Sequence, residues 1–131
     1  MDFSALSGIG LFLLYFVASL ALLAIFTRLY VATTPFDEGQ EIAQGHVAPA
    51  IALGGAMLGF TFPLLVASYA HSGIFDFLAW SLISGLVQLA AFQGLHRLMP
   101  RALETNNVAG AVCFASGSVC IGLINAASFL G

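Results

Sequence analysis

Charged residues are scarce in this sequence, and lysine is absent. Only 7% of its 131 residues are charged, the basic ones being three arginines, and the formal net charge is -3. Soluble domains have about 25% charged residues. This scarcity excludes an ordinary soluble domain, and three scattered arginines form neither a nucleic-acid-binding surface nor a basic patch for anionic headgroups. We therefore expect contacts with membrane lipids and none with nucleic acid.

Motifs typical of enzymes and metal proteins are also missing. The sequence has no HExxH motif and no Gly-x-Ser-x-Gly elbow, and GGAMLG (54–59) lacks the lysine of a phosphate-binding loop. The two cysteines lie seven residues apart on one predicted helix, too far apart to pair. The three histidines are predicted to lie at different ends of the protein. We predict no enzymatic activity, no metal site and no cofactor.

Long apolar stretches dominate what is present. Hydrophobic residues make up 60% of the chain, and the mean hydropathy is +1.03. A hydrocarbon core about 30 Å thick is spanned by roughly 20 apolar residues. Four stretches reach that length: 11–31, 47–69, 75–95 and 108–130. We predict an all-α membrane protein with four transmembrane helices in a single domain, residues 1–131.

The arginines indicate which way the helices cross the membrane. Arg28, Arg97 and Arg101 all lie in or beside the first and third connections, while the second connection and both termini have none. Because cytoplasmic loops are enriched in arginine and lysine, we predict that these two connections are cytoplasmic and that both termini are periplasmic.

The first connection carries acidic residues and a helix-start pattern. Thr34 and Pro35 followed by Asp37 and Glu38 predict a short helix that ends near Gly45. The acids of this connection either form a solvated face or dock a cytosolic partner. The candidate docking residues are Asp37, Glu38 and Glu41.

The two halves of the chain resemble each other. A shift of 61 residues aligns HVAPAIALGGAMLGFTFPLLVAS (46–68) with NVAGAVCFASGSVCIGLINAASF (107–129), and a shift of 66 aligns the first apolar stretch with the third. This pattern predicts two helical hairpins, about 11–70 and about 75–131. Since each hairpin returns the chain to the same side, the repeats should be parallel and related by a pseudo-twofold axis along the membrane normal.

A stripe of small residues follows the second and fourth predicted helices. Small side chains let transmembrane helices approach closely, so we predict that these two helices are the packing helices and that the chain forms a homo-oligomer. The first and third helices are predicted to face lipid. The stripe comprises Ala48, Ala52, Gly55 and Gly59 in one copy and Ala109, Cys113, Ser116 and Cys120 in the other.

Polar residues inside the apolar stretches are the remaining candidates for function. Pro63 predicts a kink and frees the carbonyl of Gly59, to which an Asn or Gln amide of a neighbouring helix could donate. The polar side chains either join helices by hydrogen bonds or line a path for ions or solutes. They are Thr61, Gln88, Gln93, Asn107, Ser118 and Asn125.

Five short segments carry a further signal: LGFTFPL (58–64), DFLAW (76–80), LVQLAAF (86–92), NNVAGA (106–111) and INAAS (124–128). They resemble segments of the YjfL-type bacterial inner-membrane proteins, domain-of-unknown-function family 350. The resemblance implies a duplicated two-helix unit in a bacterial inner membrane. It also implies genetic neighbours of the phage-shock and ATP-grasp types, but no established activity. Two functions follow as expectations: a homo-oligomeric, channel-like path for ions or small solutes, or a non-conducting platform that docks cytosolic envelope-stress partners.

Overall fold

Helices make up the described parts of this protein. The structure, a computed structural model, describes residues 3–34, 38–70, 73–98 and 107–128. Within these ranges lie five α-helices: α1 (Phe3–Thr33), α2 (Glu38–Ala43), α3 (Val47–Ala70), α4 (Ile74–Leu98) and α5 (Val108–Ser128). All except the short α2 are long and apolar enough to span a membrane. The predicted all-α membrane fold with four spanning helices is confirmed, although α1 begins well before residue 11.

The short helix α2 ends in a glycine turn. Gly45 has a φ of 84°, a left-handed conformation in which a side chain would be strained. Its N–H donates to the carbonyl of Ile42 (2.9 Å), and the N–H of His46 donates to the carbonyl of Glu41 (3.0 Å). These bonds satisfy carbonyls at the helix end. The glycine turn leads the chain into α3, and the observed helix end agrees with the predicted end near Gly45. Pro35 and Asp37 lie outside the described residues.

Helix α3 is the centre of the bundle and α1 its periphery. In the most apolar window of α3, 44% of the residues are buried, against 11% in that of α1. All four other described helices contact α3, and its small residues let them approach closely. The residues that it buries include Ala48, Ala52, Ala56, Phe60, Leu64 and Ala67.

Helices at equivalent positions in the two halves lie side by side and run parallel. Phe26 in α1 contacts Phe92 in α4 with 5.6 Å between ring centroids, and these residues are matched by the 66-residue shift. Further along, Tyr15 of α1 contacts Phe77 of α4 (5.3 Å). Helix α3 likewise meets α5 where Gly55 contacts Ala115. These contacts fit a duplicated hairpin, whose symmetry and repeat bounds stay predictions.

The small-residue stripe is half inside the bundle and half outside. Ala48, Ala52, Gly55 and Gly59 are buried, as a packing face requires. Their predicted counterparts Ala109, Cys113, Ser116 and Cys120 are exposed in the single chain. The buried side of α5 is formed instead by Ala111, Phe114, Ser118, Gly122 and Ala126. The prediction for α5 is therefore wrong for packing within one chain, because that helix is rotated so that a different set of small residues faces α3.

Candidate functional site

Three polar side chains and one backbone carbonyl come together between α4 and α5. They belong to four residues that we call the polar cluster: Ser84, Gln88 and Asn125 through their side chains, and Ser118 through its carbonyl. Gln88 and Ser118 are fully buried and Ser84 is nearly so, while Asn125 is half-buried. Ser84 and Gln88 lie one turn apart on α4, and Asn125 lies two turns beyond Ser118 on α5. Antiparallel packing of α4 and α5 brings the four together.

The polar cluster is hydrogen-bonded across the two helices. The amide of Gln88 donates from Nε2 to the carbonyl of Ser118 (3.0 Å). Asn125 donates from Nδ2 to the carbonyl of Ser84 (3.1 Å) and to Oε1 of Gln88 (3.1 Å). The Ser84 hydroxyl donates to Oδ1 of Asn125 (3.0 Å). Since a buried polar group without a partner is costly in lipid, these bonds give the cluster a structural role in joining α4 to α5.

Glycine makes room for the polar cluster on α3. A Cβ placed on Gly59 would lie 2.6 Å from the carbonyl oxygen of Ser118 and 2.9 Å from Nε2 of Gln88. Both distances are shorter than van der Waals contact. Gly59 therefore lets the side chain of Gln88 and the backbone of α5 reach the same point on α3.

Pro63 leaves the carbonyl of Gly59 without its helical hydrogen bond. The predicted donor, an Asn or Gln amide, is wrong for the bonds described, because Gln88 and Asn125 donate to other acceptors. The carbonyl oxygen of Gly59 lies against Gly122, where any side chain would overlap it. The close approach of Gly122 fits a weak Cα–H···O contact with this carbonyl. The helix continues through Pro63, and its kink stays a prediction.

Three predicted polar residues lie away from the polar cluster. Thr61 is exposed and donates to the carbonyl of Met57 in its own helix (2.8 Å). Asn107 is exposed and accepts the N–H of Gly110 (3.2 Å), which makes it the N-cap of α5. Gln93 is half-buried on α4 and takes part in none of the bonds that hold the cluster.

The polar cluster reaches the outer surface at a groove between α4 and α5. This groove, the α4–α5 groove, has a volume of about 320 Å³. Ser84, Asn125 and Ser128 are its polar wall residues, and Trp80 and isoleucine and valine side chains form the rest. Asn125 is therefore the member of the cluster that a neighbouring molecule could touch.

The acids of the first connection differ sharply in exposure. Glu38 is only 2% exposed. Glu41 forms an ion pair with His46, and both side chains are partly exposed. The prediction of Glu38 as an exposed docking residue is wrong, because α2 folds its first residue against the bundle. Asp37 lies outside the described residues.

Sequence reasoning found Gln88, Ser118 and Asn125 but missed Ser84. The sequence spacing could have indicated Ser84, because Ser81, Ser84 and Gln88 are spaced i, i+3 and i+7 and therefore lie on one helix face. All three are buried in the structure. Tyr30 was missed as well. It is 1% exposed, and its ring contacts Phe92 (5.5 Å) and Phe114 (6.4 Å).

The fold and this site define a helical membrane protein whose spanning helices are joined by a buried amide network. The sequence profile described as Domain of Unknown Function (DUF350) matches residues 4–129. The chain therefore belongs to the DUF350 family.

Two relatives cover most of the chain. The UPF0719 inner membrane protein YjfL of Escherichia coli (strain K12) is 32% identical over 116 residues, which are 86% of this chain and 88% of the relative. The UPF0719 transmembrane protein YshE of Bacillus subtilis (strain 168) is 25% identical over 112 residues, 83% of this chain and 84% of the relative. No solved structure matches the chain at a comparable level of significance.

Proposed function

We propose that the chain assembles in the bacterial inner membrane into a homo-oligomer that conducts ions or small solutes between its copies, without enzymatic activity. The observation that carries this proposal is the outward face of α5. Between residues 113 and 120 that face exposes Cys113, Ser116 and Cys120, and the large exposed side chains of α5, such as Val112 and Leu123, lie before and after this segment. Helix α1, by contrast, exposes leucine, isoleucine and phenylalanine along much of its length. Bulky apolar residues suit lipid, whereas small, weakly polar ones suit another helix or water.

The interior of one chain offers little room for such a path. The polar cluster is closed by its own hydrogen bonds, and α3 touches α5 through Gly55, Gly59 and Gly122. A path between copies is therefore the better proposal. The exposed end of the cluster, Asn125 in the α4–α5 groove, is the polar group of the network that could contribute to its lining.

A groove beside the outward face of α5 also supports assembly. A shallow groove of about 530 Å³ runs along α3 and α5 and is lined by Gly54, Gly55, Ser116 and Cys120 among others. A Cβ on Gly54 would meet nothing within 4 Å, so packing within the chain does not require glycine there. A helix of a second copy that lies in this groove would require it.

The native cysteines provide a direct test of assembly. If α5 faces α5 of a neighbouring copy, mild oxidation in membranes should cross-link the wild type, and Cys113→Ser and Cys120→Ser should show which position is closer. The matched control combines Cys113→Ser and Cys120→Ser with Leu13→Cys, which places a single cysteine at an exposed position of α1. This variant should not cross-link. Cross-linking equal to that of the control would contradict the proposed interface.

Conduction is tested on the same assembly. We expect measurable ion flux across liposomes containing the wild type and its reduction in Ser116→Leu, which adds bulk to the proposed path while leaving the polar cluster intact. An assembled but silent wild type would refute conduction. It would favour the alternative, a non-conducting platform for cytosolic envelope-stress or ATP-grasp-type partners. Of the two described acids in the first connection, Glu41 is the one that is partly exposed.

A further inference from the structure

Ser81 is a buried hydroxyl whose bonding differs from that of other hydroxyls in these helices. Its side chain is fully buried, and within the described residues its Oγ has no hydrogen-bond partner. Thr27, Ser118 and Ser128, in comparison, donate to the carbonyl four residues before them. A buried hydroxyl that forgoes such a bond destabilises the protein. Its position therefore requires an explanation.

Ser81 lies on the wall of a groove between α1 and α4, which we call the α1–α4 groove. This groove has a volume of about 210 Å³ and is otherwise lined by apolar side chains. Phe26 and Phe60 form its floor, where their rings stack with centroids 4.2 Å apart. Gly85 makes this stack possible, because a Cβ there would lie 3.2 Å from the ring of Phe60.

The depth of the α1–α4 groove restricts what can enter it. Ser81 lies about 10 Å along the axis from Ile74, the first residue of α4, given a rise of 1.5 Å per residue. Helix α4 is about 37 Å long by the same rise, and the hydrocarbon core is about 30 Å thick. If the helix is centred in the bilayer, Ser81 lies about 6 Å inside the hydrocarbon boundary, away from the ester carbonyls of phospholipids at the interface.

We propose that the α1–α4 groove binds a lipid-soluble molecule that carries a carbonyl within its apolar body, of the isoprenoid quinone class. Such a molecule dissolves in the hydrocarbon at the depth of Ser81. Because the side chain of Ser81 is fully buried, the apolar side chains beside it must shift when the ligand enters, and the carbonyl then supplies the acceptor that this hydroxyl lacks. Its ring lies over the Phe26–Phe60 stack, where aromatic faces favour planar rings. Its tail follows the groove toward Leu89, about 12 Å along α4. The site is independent of the proposed path, which lies on the α3, α4 and α5 side.

The neighbouring residue provides the reporter for a binding test. Trp80 is the only tryptophan in the sequence. Its side chain lines the α4–α5 groove, but it is adjacent to Ser81 in α4, so a quinone in the α1–α4 groove lies close enough to quench its fluorescence, and the Ser81 variants show from which groove the quenching comes. We expect saturable quenching of the purified protein by decylubiquinone. Ser81→Ala should raise the apparent Kd about two- to tenfold, the range that one hydrogen bond represents. Ser81→Cys, whose thiol is a weaker donor, should fall between the two.

Two controls separate this site from simple partitioning. Ser116→Ala removes an exposed hydroxyl on the opposite side of the bundle and should leave the Kd unchanged. Decylbenzene, which has a similar tail and no carbonyl, should displace the quinone poorly from the wild type. From Ser81→Ala, which lacks the hydroxyl, it should displace the quinone about as well as a quinone competitor does. Linear quenching that is identical in all variants would overturn the proposal. So would equal displacement by both compounds from the wild type, because the groove would then be a slot for plain hydrocarbon.

Discussion

At the scale of single residues, Gln88 holds the central position in the polar cluster. Its Nε2 donates to the backbone of α5 and its Oε1 accepts from Asn125, so one side chain satisfies two groups of the neighbouring helix. Interhelical hydrogen bonds of this kind contribute about 0.6 to 2 kcal/mol in membranes. Because the side chain is fully buried, water does not replace these bonds when the amide is lost.

Gln88→Leu should therefore destabilise the bundle by about 1 to 2 kcal/mol, because the donor on Asn125 loses one acceptor and the carbonyl of Ser118 loses its amide donor. Unfolding in mixed detergent micelles, followed by circular dichroism, measures the difference. Gln93→Leu is the matched control on the same helix, since Gln93 is half-buried and outside the cluster. Equal loss in the two variants would contradict the structural role assigned to the network.

A role could be predicted from the sequence for polar residues that lie inside apolar segments, because burying a polar group there is energetically costly. Gln88 and Asn125 stand out from the sequence because amides are rare inside spanning helices, and interhelical hydrogen bonding was one of their two predicted roles. Glu38 was not predictable in this way. An acid after a proline indicates a solvated helix start, whereas Glu38 is only 2% exposed because α2 packs against α3. Local sequence patterns carry no information about how a short helix packs.

At the scale of helices, the face of α3 was predictable and that of α5 was not. Helix α3 is surrounded by other helices, so a small-residue stripe there is buried in almost any arrangement. Helix α5 has small residues on two faces, one through Ala111, Ser118 and Gly122 and the other through Cys113, Ser116 and Cys120. Alignment of the repeats matches residue size, which does not determine the rotation of a helix about its own axis.

Two glycines provide a prediction about these faces. Gly122→Ala places a methyl group on the carbonyl of Gly59, whereas Gly54→Ala places one in open space. The first should destabilise the chain by about 1 to 3 kcal/mol through overpacking. The second should be neutral or slightly stabilising, because alanine favours a helix by up to about 1 kcal/mol over glycine.

The same unfolding measurement in detergent decides between the two glycines, and it should be made on the monomeric fraction. If both variants unfold alike, α3 and α5 do not approach through Gly122. A Gly54→Leu variant extends the test to assembly: it should leave the monomer folded and weaken cross-linking through the cysteines of α5.

At the scale of the whole molecule, the parallel arrangement of equivalent helices has a consequence for topology. The ring contacts of Tyr15 with Phe77 and of Phe26 with Phe92 together require α1 and α4 to run in the same direction, so the C-terminal ends of these two helices lie at the same end of the bundle. Arg28 and Arg97 are exposed near that end. The number of spanning helices and their order were predictable from hydropathy alone, whereas the contacts between the halves became visible only in three dimensions.

The arginine-bearing end is therefore expected to face the cytoplasm, with both termini on the other side. In a background of Cys113→Ser and Cys120→Ser, an impermeant maleimide applied to spheroplasts should label Ser72→Cys, in the connection between α3 and α4. It should not label Glu41→Cys on the partly exposed side of α2. Opening the membrane should make Glu41→Cys reactive, because the reagent then reaches both faces. Leu20→Cys, which is exposed along α1 but lies within the apolar span, should stay unlabelled throughout. Labelling of Glu41→Cys in sealed spheroplasts would reverse the orientation, and with it the side on which any cytosolic partner could meet α2.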